Sequence, residues 1–374
     1  MTLRSGLSSS IGFGDETVWG TAVAPTVHVP LVDESLTAEI ERLESEGIIS
    51  GQRVIRSQQW EEAGITASGD VGLELNDQSK GLLLKHMFGG ASTTGPFTPS
   101  DLGGLGMTVQ VGVPDSLIGT PNPKTIAGAK VASWEIGLAA GEIATLGLSI
   151  IGRHVIGHRT VADGVTTNGS AAITSATAAW TQDDVGKPIT GTGIPAATAL
   201  LSVTSATAAT LSANATATGA AVTFTIGMAL TSPTYATGIA PMSYVNGSVT
   251  IGGTTTKVTN ISLSGDNGLA DDRVFAGQRT IDEPLEMQLR EYTGQIETEY
   301  FSNVAYNRFL AGSESALVLT IARNTKSVIV TCNVRFDGES PQVGGKGIVG
   351  QTLPFKILGT TTDASAISVA LDET

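Results

Sequence analysis

The chain has 374 residues, enough for two domains or for one domain carrying a sizeable insertion. Its net charge is −14, from 35 acidic and 21 basic residues, which argues against a surface that grips nucleic-acid phosphates, because such a surface needs clustered Lys and Arg. A mean hydropathy of +0.16 argues against disorder, and the single cysteine, Cys332, excludes a disulfide framework within the chain.

The residue usage predicts a mainly β fold. The chain has 46 glycines and many Thr, Ser, Ala and Val residues, and only 5% of its residues are aromatic. This composition favours short strands joined by turns. We therefore expect a mainly β protein of the α+β class, with one or two helices packed beside its sheets.

The first 45 residues give two different signals. Residues 1–30 have no period of 2 or 3.6 and predict an extended arm. After the arm, Leu36, Ile40 and Leu43 keep helical spacing, which by itself predicts a short acidic helix.

Two further helices are predicted. One covers residues 82–88, where Asn76 or Asp77 can cap the first turn and Gly89 can end the helix in the left-handed conformation. The other runs from about Ile296 to Leu310, since its apolar residues recur near i, i+4 and i+8.

Between and after these helices the pattern predicts strands. KVASWEIGLAAGEIATLGLSIIGR predicts two strands that meet at Ala140-Gly141, and the Asn246-Gly247 dipeptide predicts another hairpin. Four more strand candidates follow near the end: ALVLTIA, KSVIVTCNVRF, QTLPFKILG and AISVALDE.

A nearly uncharged stretch interrupts this pattern over residues 163–227. Its charged residues are Asp163, Asp183, Asp184 and Lys187 alone. Flexible linkers avoid apolar clusters, whereas this stretch contains many apolar residues, with Trp180 and Phe224 as the expected core anchors. We predict a small β module inserted between a first part, 1–162, and a second part, 228–374, at the tip of an exposed hairpin or loop.

No constellation in the sequence points to catalysis. His154 and His158 are four residues apart in a strand-like run, where their side chains lie about 13 Å from each other, too far for a shared metal. The sequence also lacks a phosphate-binding glycine loop, a nucleophile elbow and a Cys/His pair. We expect a protein without enzymatic activity, cofactor or metal.

The chain also shows no targeting or membrane signal. Its start has no apolar core behind the single arginine, and its most apolar stretch contains Glu135 and Glu142. We expect a protein made in a cytoplasm that does not enter a membrane.

Outside the module, four stretches follow one another in a recognisable order: SSSIGFGDETVWGTAVAPT, PLVDESLTAEIERLESEGIISGQRV, ITASGDVGLELN and the helix at 80–89. This order resembles the N-terminal half of the tail tube proteins of siphophages, the phages with long non-contractile tails. The residues that carry the resemblance are Gly12, Glu16, Trp19, Gly20, Thr21, Pro25, Glu34, Ser35, Leu36, Gly47, Ile48, Gly69 and Gly72. The C-terminal part is similar too, with a strand-helix-strand unit over 281–322 and then RFDGESPQVGGKGIVGQTLPFKIL.

The resemblance implies a β-sandwich or split barrel with a flanking helix, and an extended rather than helical segment at 34–36. It implies six-membered rings that stack into a tube through which the genome leaves without specific binding. The partners implied are other copies of the chain, a tape measure protein in the lumen, and tail terminator and distal tail proteins. Contacts between rings or subunits are expected from the arm, at Phe13, Glu16, Trp19 and Thr21.

The module resembles a small Ig-like β domain that recurs in phage tail and other virion proteins. An acidic lumen repels DNA phosphates, so a nearly uncharged module is expected on the outside of the tube. Two alternatives remain: a decoration or capsid-associated virion protein, and a β-rich surface adhesin.

Overall fold

The computed structural model describes residues 5–114, 121–300, 303–338, 343, 346 and 348–373. It is mostly antiparallel β structure, so the prediction of a mainly β chain is confirmed. The strands are β1 (Ser10–Glu16), β2 (Val27–Val29), β3 (Leu31–Glu34), β4 (Thr37–Glu44), β5 (Trp60–Glu74), β6 (Gly106–Val113), β7 (Asn122–Ala139), β8 (Thr145–Gly152), β9 (His154–Ile156), β10 (Arg159–Thr166), β11 (Ala172–Thr174), β12 (Ile189–Thr190), β13 (Leu200–Ser205), β14 (Ala208–Leu211), β15 (Gly219–Ile226), β16 (Gly247–Ile251), β17 (Thr254–Thr256), β18 (Asn260–Asp266), β19 (Glu291–Glu299), β20 (Glu314–Arg323), β21 (Lys326–Phe336), β22 (Gly350–Ile357) and β23 (Ile367–Asp372). The α-helices within the described residues are α1 (Gly81–Phe88) and α2 (Val304–Ala311).

One antiparallel ladder runs through the main body in the order β5, β8, β7, β18, β19, β22. Its strands alternate between buried and accessible residues, as in β8 and β18. This alternation puts every second side chain on the core face of the sheet. The four strands predicted near the C-terminus are confirmed as β20 to β23, and the hairpin predicted at Ala140-Gly141 is confirmed as the turn between β7 and β8.

Two further groups of strands pair with this ladder. The first contains β2, β1, β6, the N-terminal half of β7 and β9. The second contains β23, β21, β20, β16 and β17. β7 is 18 residues long and pairs with β6 in its first half and with β8 and β18 in its second half, so a single strand belongs to both the first group and the ladder.

Helix α1 packs against β7, and every residue in it is buried. The predicted stop is confirmed: Gly89 has φ +90° and donates its N–H to the Lys85 carbonyl at 2.7 Å. The predicted cap is wrong, since the N-cap position is Lys80. Asp77 instead accepts a hydrogen bond from the Ala240 N–H at 2.9 Å.

The prediction of a helix from Ile296 to Leu310 is wrong for its first half. Residues Glu291–Glu299 form β19, where Ile296 is buried between Ile261 and Leu353 of the neighbouring strands, and helix α2 begins only at Val304. A spacing of four residues places side chains on one face of a strand as well as of a helix, so the pattern could not separate the two.

The Asn246-Gly247 hairpin prediction is also wrong. Asn246 ends a short 3-10 turn, where its Oδ1 accepts the Ser243 N–H at 2.9 Å, and Gly247 has φ −92°. The reversal comes later, at Gly252 and Gly253, whose φ values are +58° and +78°.

The conflict over residues 31–44 is settled in favour of an extended backbone. This segment forms β3 and β4, which both pair with β5, and the helical spacing of Leu36, Ile40 and Leu43 corresponds to no helix.

Residues 159–226 form a separate six-stranded sheet in the order β12, β15, β10, β11, β14, β13, here called the small-sheet unit. The unit has its own apolar cluster, which contains Trp180 and Phe224 with ring centroids 6.5 Å apart. Its sheet begins at Arg159, four residues before the boundary that composition suggests. The two connecting segments touch, because a Cβ added to Gly227 would lie 1.9 Å from the Gly157 carbonyl oxygen.

Candidate assembly surfaces

The accessible side of the six-stranded ladder has few large side chains and is here called the polar face. Its residues are the alternate positions of each strand, so the registers define them without ambiguity. One row across the sheet is Glu74, Thr145, Gly137, Ser262, Gln295 and Pro354. The next row is Gly72, Gly147, Glu135, Ser264, Thr293 and Lys356, and the third begins Asp70, Ser149, Ser133, Asp266 and Glu291.

Carboxylates dominate the charge of the polar face. Five belong to Asp70, Glu74, Glu135, Asp266 and Glu291 of these rows, and a sixth belongs to Glu297, two residues beyond Gln295 on the same face. The basic residue in these rows is Lys356, whose Nζ lies 2.5 Å from Glu291 Oε1. Within the described part of the chain, Asp70, Glu74 and Glu135 form no side-chain hydrogen bond and no ion pair. These charges therefore do not hold the fold together, and their field points into solvent.

Among the described residues, the ladder ends in two strand edges whose outer backbone groups have no strand partner. On one side β4 pairs with β5 alone, and all eight of its residues are exposed. On the other side, residues 350–353 of β22 pair with β19, while β21 joins only at 355–357. Exposed edges of this kind recruit further strands unless something covers them.

A two-stranded ribbon extends beyond the ladder. It consists of β4, residues 60–66 of β5 and the intervening segment 45–59, since the pairing of β5 with β8 begins only at Ala67. Its apolar side chains are accessible: Leu43 is 58% exposed, Ile48 98% and Val54 76%. An isolated two-stranded ribbon is at best marginally stable in water, and exposed apolar clusters mark interaction sites. The ribbon is thus a surface suited to a partner.

The N-terminal segment lies in the structure differently from a free arm. Residues 10–16 form β1, which pairs with both β2 and β6. Phe13 is fully enclosed by its own chain, so its side chain has no surface left for a neighbouring subunit. Ile11 and Phe13 are buried, and so are the neighbouring Gly12 and Gly14, which explains why the sequence shows no alternation here.

Glu16 holds the turn that follows β1. Its carboxylate is buried and accepts hydrogen bonds from the Gly20 N–H at 2.7 Å, the Thr108 hydroxyl at 2.8 Å and the Gly128 N–H at 2.9 Å. Burial raises the pKa of Glu16, and these three donors oppose the shift. The structure thus gives Glu16 a local positioning role.

Trp19 and Thr21 lie on the outer part of the same turn. The indole N–H of Trp19 donates to the Gly128 carbonyl at 3.0 Å, and the Arg153 guanidinium lies over its ring, 5.7 Å from the centroid. Thr21 is exposed. Of the four predicted contact residues, Thr21 and the accessible part of Trp19 are those that remain available to a neighbour.

Among the described residues, the two histidines are not part of a group that could bind a metal. His154 is in β9 and His158 follows that strand, and the described residues contain no group of three or more His, Cys, Asp or Glu that could hold a metal. Burial, together with nearby Arg153 and Lys187, lowers the pKa of His154 to about 4. Within the described ranges, no helix has the length and apolar character needed to cross a membrane.

Sequence patterns did not identify the acids of the polar face. The signal was present as small residues at every second position in WEIGLAAGEIATLGLSI and ISLSG. Pairing register is needed to bring these positions together, and register follows from three-dimensional contacts rather than from one strand's pattern.

A family model described as phage tail tube protein matches residues 6–207 and 190–357. The two matched segments overlap inside the small-sheet unit and together span most of the chain. No curated protein matches the sequence.

Proposed function

The chain belongs to the phage tail tube protein family and is a structural component of a virion tail, and from that premise we propose that six copies close into a ring with the polar face turned to the bore. Stacked rings then form an acidic conduit through which the genome is ejected. The observation that carries this proposal is the polar face, with small side chains, six carboxylates and one amine.

The chemistry of the polar face suits a channel that must release DNA. Carboxylates repel phosphates over about 8 Å at physiological salt, the Debye length, and a low-dielectric wall focuses that field within a bore. Gly, Ser and Thr side chains offer neither cations nor aromatic rings for stacking, the two features that hold single-stranded or duplex nucleic acid. An acidic wall of small residues therefore lets DNA slide.

Ring closure gives strand partners to the two edges of the ladder. If β4 of one copy approaches β22 of the next, both rows of free backbone groups gain partners, and the ring has no open sheet edge. The ribbon, with its accessible Leu43, Ile48 and Val54, then packs on an adjacent subunit, within the ring or in the next one. Thr21 and Trp19 contribute to the same contacts.

We assign the further partners by the role of a tube. A tape measure protein occupies the lumen during assembly in the host cytoplasm, and terminator and distal tail proteins close the two ends. DNA passes without specific binding, and no membrane is involved.

Electron microscopy of the purified chain in negative stain tests the proposal. Uniform hollow tubes or six-fold rings support it. Particles that stay monomeric at high concentration, as expected of a decoration protein or an adhesin, overturn it. Substituting Leu43 and Ile48 by Ser is expected to abolish tubes while leaving the monomer folded, because both side chains are exposed in the single chain.

We further propose that residues 163–227 form an inserted domain on the outside of the tube. Gly157 and Gly227 already touch, so the chain can be joined there without stretching the body. A variant that lacks residues 158–226 is expected to form tubes of the same bore and smaller outer diameter. Tubes that fail to form, or whose bore widens instead, contradict an outside position.

A further inference from the structure

The small-sheet unit contacts the body at a second place besides its connecting segments. A cavity of about 670 Å³ separates the unit from the root of the ribbon, with Gln182, Asp183 and Lys187 on one wall and Ile40 and Ile65 on another. The third wall is the segment 277–282. Three parts of the chain that are far apart in sequence therefore meet here.

Arg279 bridges two of these parts. Its guanidinium forms an ion pair with Asp183 of the small-sheet unit through Nη1, and its Nη2 lies 2.6 Å from Glu62 Oε2 in the ribbon. The three side chains are each about one-third exposed, so the ion pairs are partly shielded from water. Arg279 thus links an acid of the small-sheet unit to an acid of the ribbon.

The backbone around Arg279 extends the link. The Ile65 N–H donates to the Arg279 carbonyl at 2.6 Å, and Ile65 forms a parallel bridge with Thr280. Thr280 in turn accepts from the Arg153 guanidinium at 3.2 Å, beside the Trp19 turn. A contact that holds Arg279 in place therefore also holds the backbone that pairs with Ile65, the end of the ribbon next to the body.

The connecting segments give the unit a narrow attachment to the body. They meet at Gly157 and Gly227, and Gly227 has φ +82°, a conformation that only glycine adopts freely. Glycines at this junction leave the backbone free to rotate. The two adjacent acids of the unit have different partners. Asp184 is buried and pairs with Arg159 and Lys187 inside the unit, and Asp183 points outward to Arg279.

We propose that the Asp183–Arg279–Glu62 bridge couples the orientation of the small-sheet unit to the order of the ribbon. The coupling is reciprocal. Immobilising the ribbon on a neighbour then lowers the mobility of the unit, and a more mobile unit makes the ribbon more mobile. The coupling is a property of the single chain and does not require that the chain form tubes.

Hydrogen exchange of the full chain, below its assembly concentration, tests this coupling. Asp183→Asn is expected to speed exchange at residues 60–66, although Asp183 lies in the other region, by about threefold to fivefold, the scale of one partly exposed ion pair. Glu62→Gln should do the same at 182–187. Asp337→Asn, which removes the acid of the remote exposed Arg335–Asp337 pair, is the matched control and should leave both segments unchanged.

Salt gives an independent measurement. Raising NaCl from about 50 to about 500 mM is expected to speed exchange at 60–66 in the wild-type chain and to have less effect in Asp183→Asn, because the screened ion pair is already absent there. The proposal is overturned if Asp183→Asn speeds exchange only within the small-sheet unit, or if the salt effect at 60–66 is equal in both chains. Either result is obtained whether or not the chain forms tubes.

Discussion

The polar face and the small-sheet unit are both covered with small side chains, yet they use their charged residues in opposite ways. In the unit, Asp184 pairs with Arg159 and Lys187, Asp183 pairs with Arg279, and Asp163 accepts hydrogen bonds from Ser175 and Thr177. On the polar face, Asp70, Glu74 and Glu135 have no such partner among the described residues. Charges that the fold does not use are the ones available for function.

The largest expected effect is a difference in stability between the small-sheet unit and the body. Phe224→Ala removes a fully buried ring that packs beside Trp180, and such deletions cost about 3–5 kcal/mol. Because the unit has its own apolar cluster, we expect fast hydrogen exchange in β10 to β15 with protection retained in the body. Phe355→Ala makes the same change in the body and should give the reverse pattern. Equal loss of protection in both regions would show that they unfold as one.

The next effect tests the electrostatics of the polar face. Replacing Asp70, Glu74 and Glu135 together by Lys turns a repelling wall into a binding one, so tubes should retain short duplex DNA on the order of 100-fold more tightly at low salt. The matched amide variant, which combines Asp70→Asn, Glu74→Gln and Glu135→Gln, removes repulsion without adding cations and should change retention far less. If the Lys variant retains no more DNA than the wild type, the face does not line the bore.

A third pair of variants compares one carboxylate from each region. Asp184→Asn leaves Arg159 and Lys187 without their buried partner and should cost about 2 kcal/mol, below the range for fully buried pairs because Arg159 is about one-third exposed. Glu135→Gln should change the free energy of unfolding by no more than about 0.5 kcal/mol. Urea denaturation measures both, and a Glu135→Gln cost as large as that of Asp184→Asn would remove the distinction between the regions.

The smallest effect concerns a charge buried in the body. Burial lowers the pKa of Lys80 from 10.5 to about 7, so between these values the unfolded chain binds a proton that the folded chain does not. The free energy of unfolding contributed by Lys80 therefore rises with pH in this window, by about 1.4 kcal/mol per unit. The difference between wild type and Lys80→Met, followed by urea denaturation from about pH 7.5 to about pH 8.5, should show that slope as a change of about 1.4 kcal/mol. A difference independent of pH contradicts it.

The parts of the fold that the sequence predicted are those with one unambiguous period. Strands β20 to β22 alternate over most of their length, and α1 ends at Gly89, a stop at a residue with positive φ that the sequence signalled. Ile296 shows the opposite case, because a four-residue repeat satisfies both a strand and a helix. The N-terminal strand had no period to detect, since it is buried on both sides.

The candidate surfaces were predictable only as far as single segments allow. The resemblance and the overall acidity suggested a conduit, but the choice of Asp70, Glu74 and Glu135 needed the registers of several strands. The Arg279 bridge joins residues 62, 183 and 279, and no local pattern relates positions so far apart.

Strand β7 has a mechanical consequence. Its 18 residues span about 60 Å, and the strand pairs with β6 in one half and with β8 and β18 in the other. A load on either set of strands is therefore carried to the other along the covalent backbone of β7. In the proposed tube, this continuous backbone is expected to stiffen each subunit against bending.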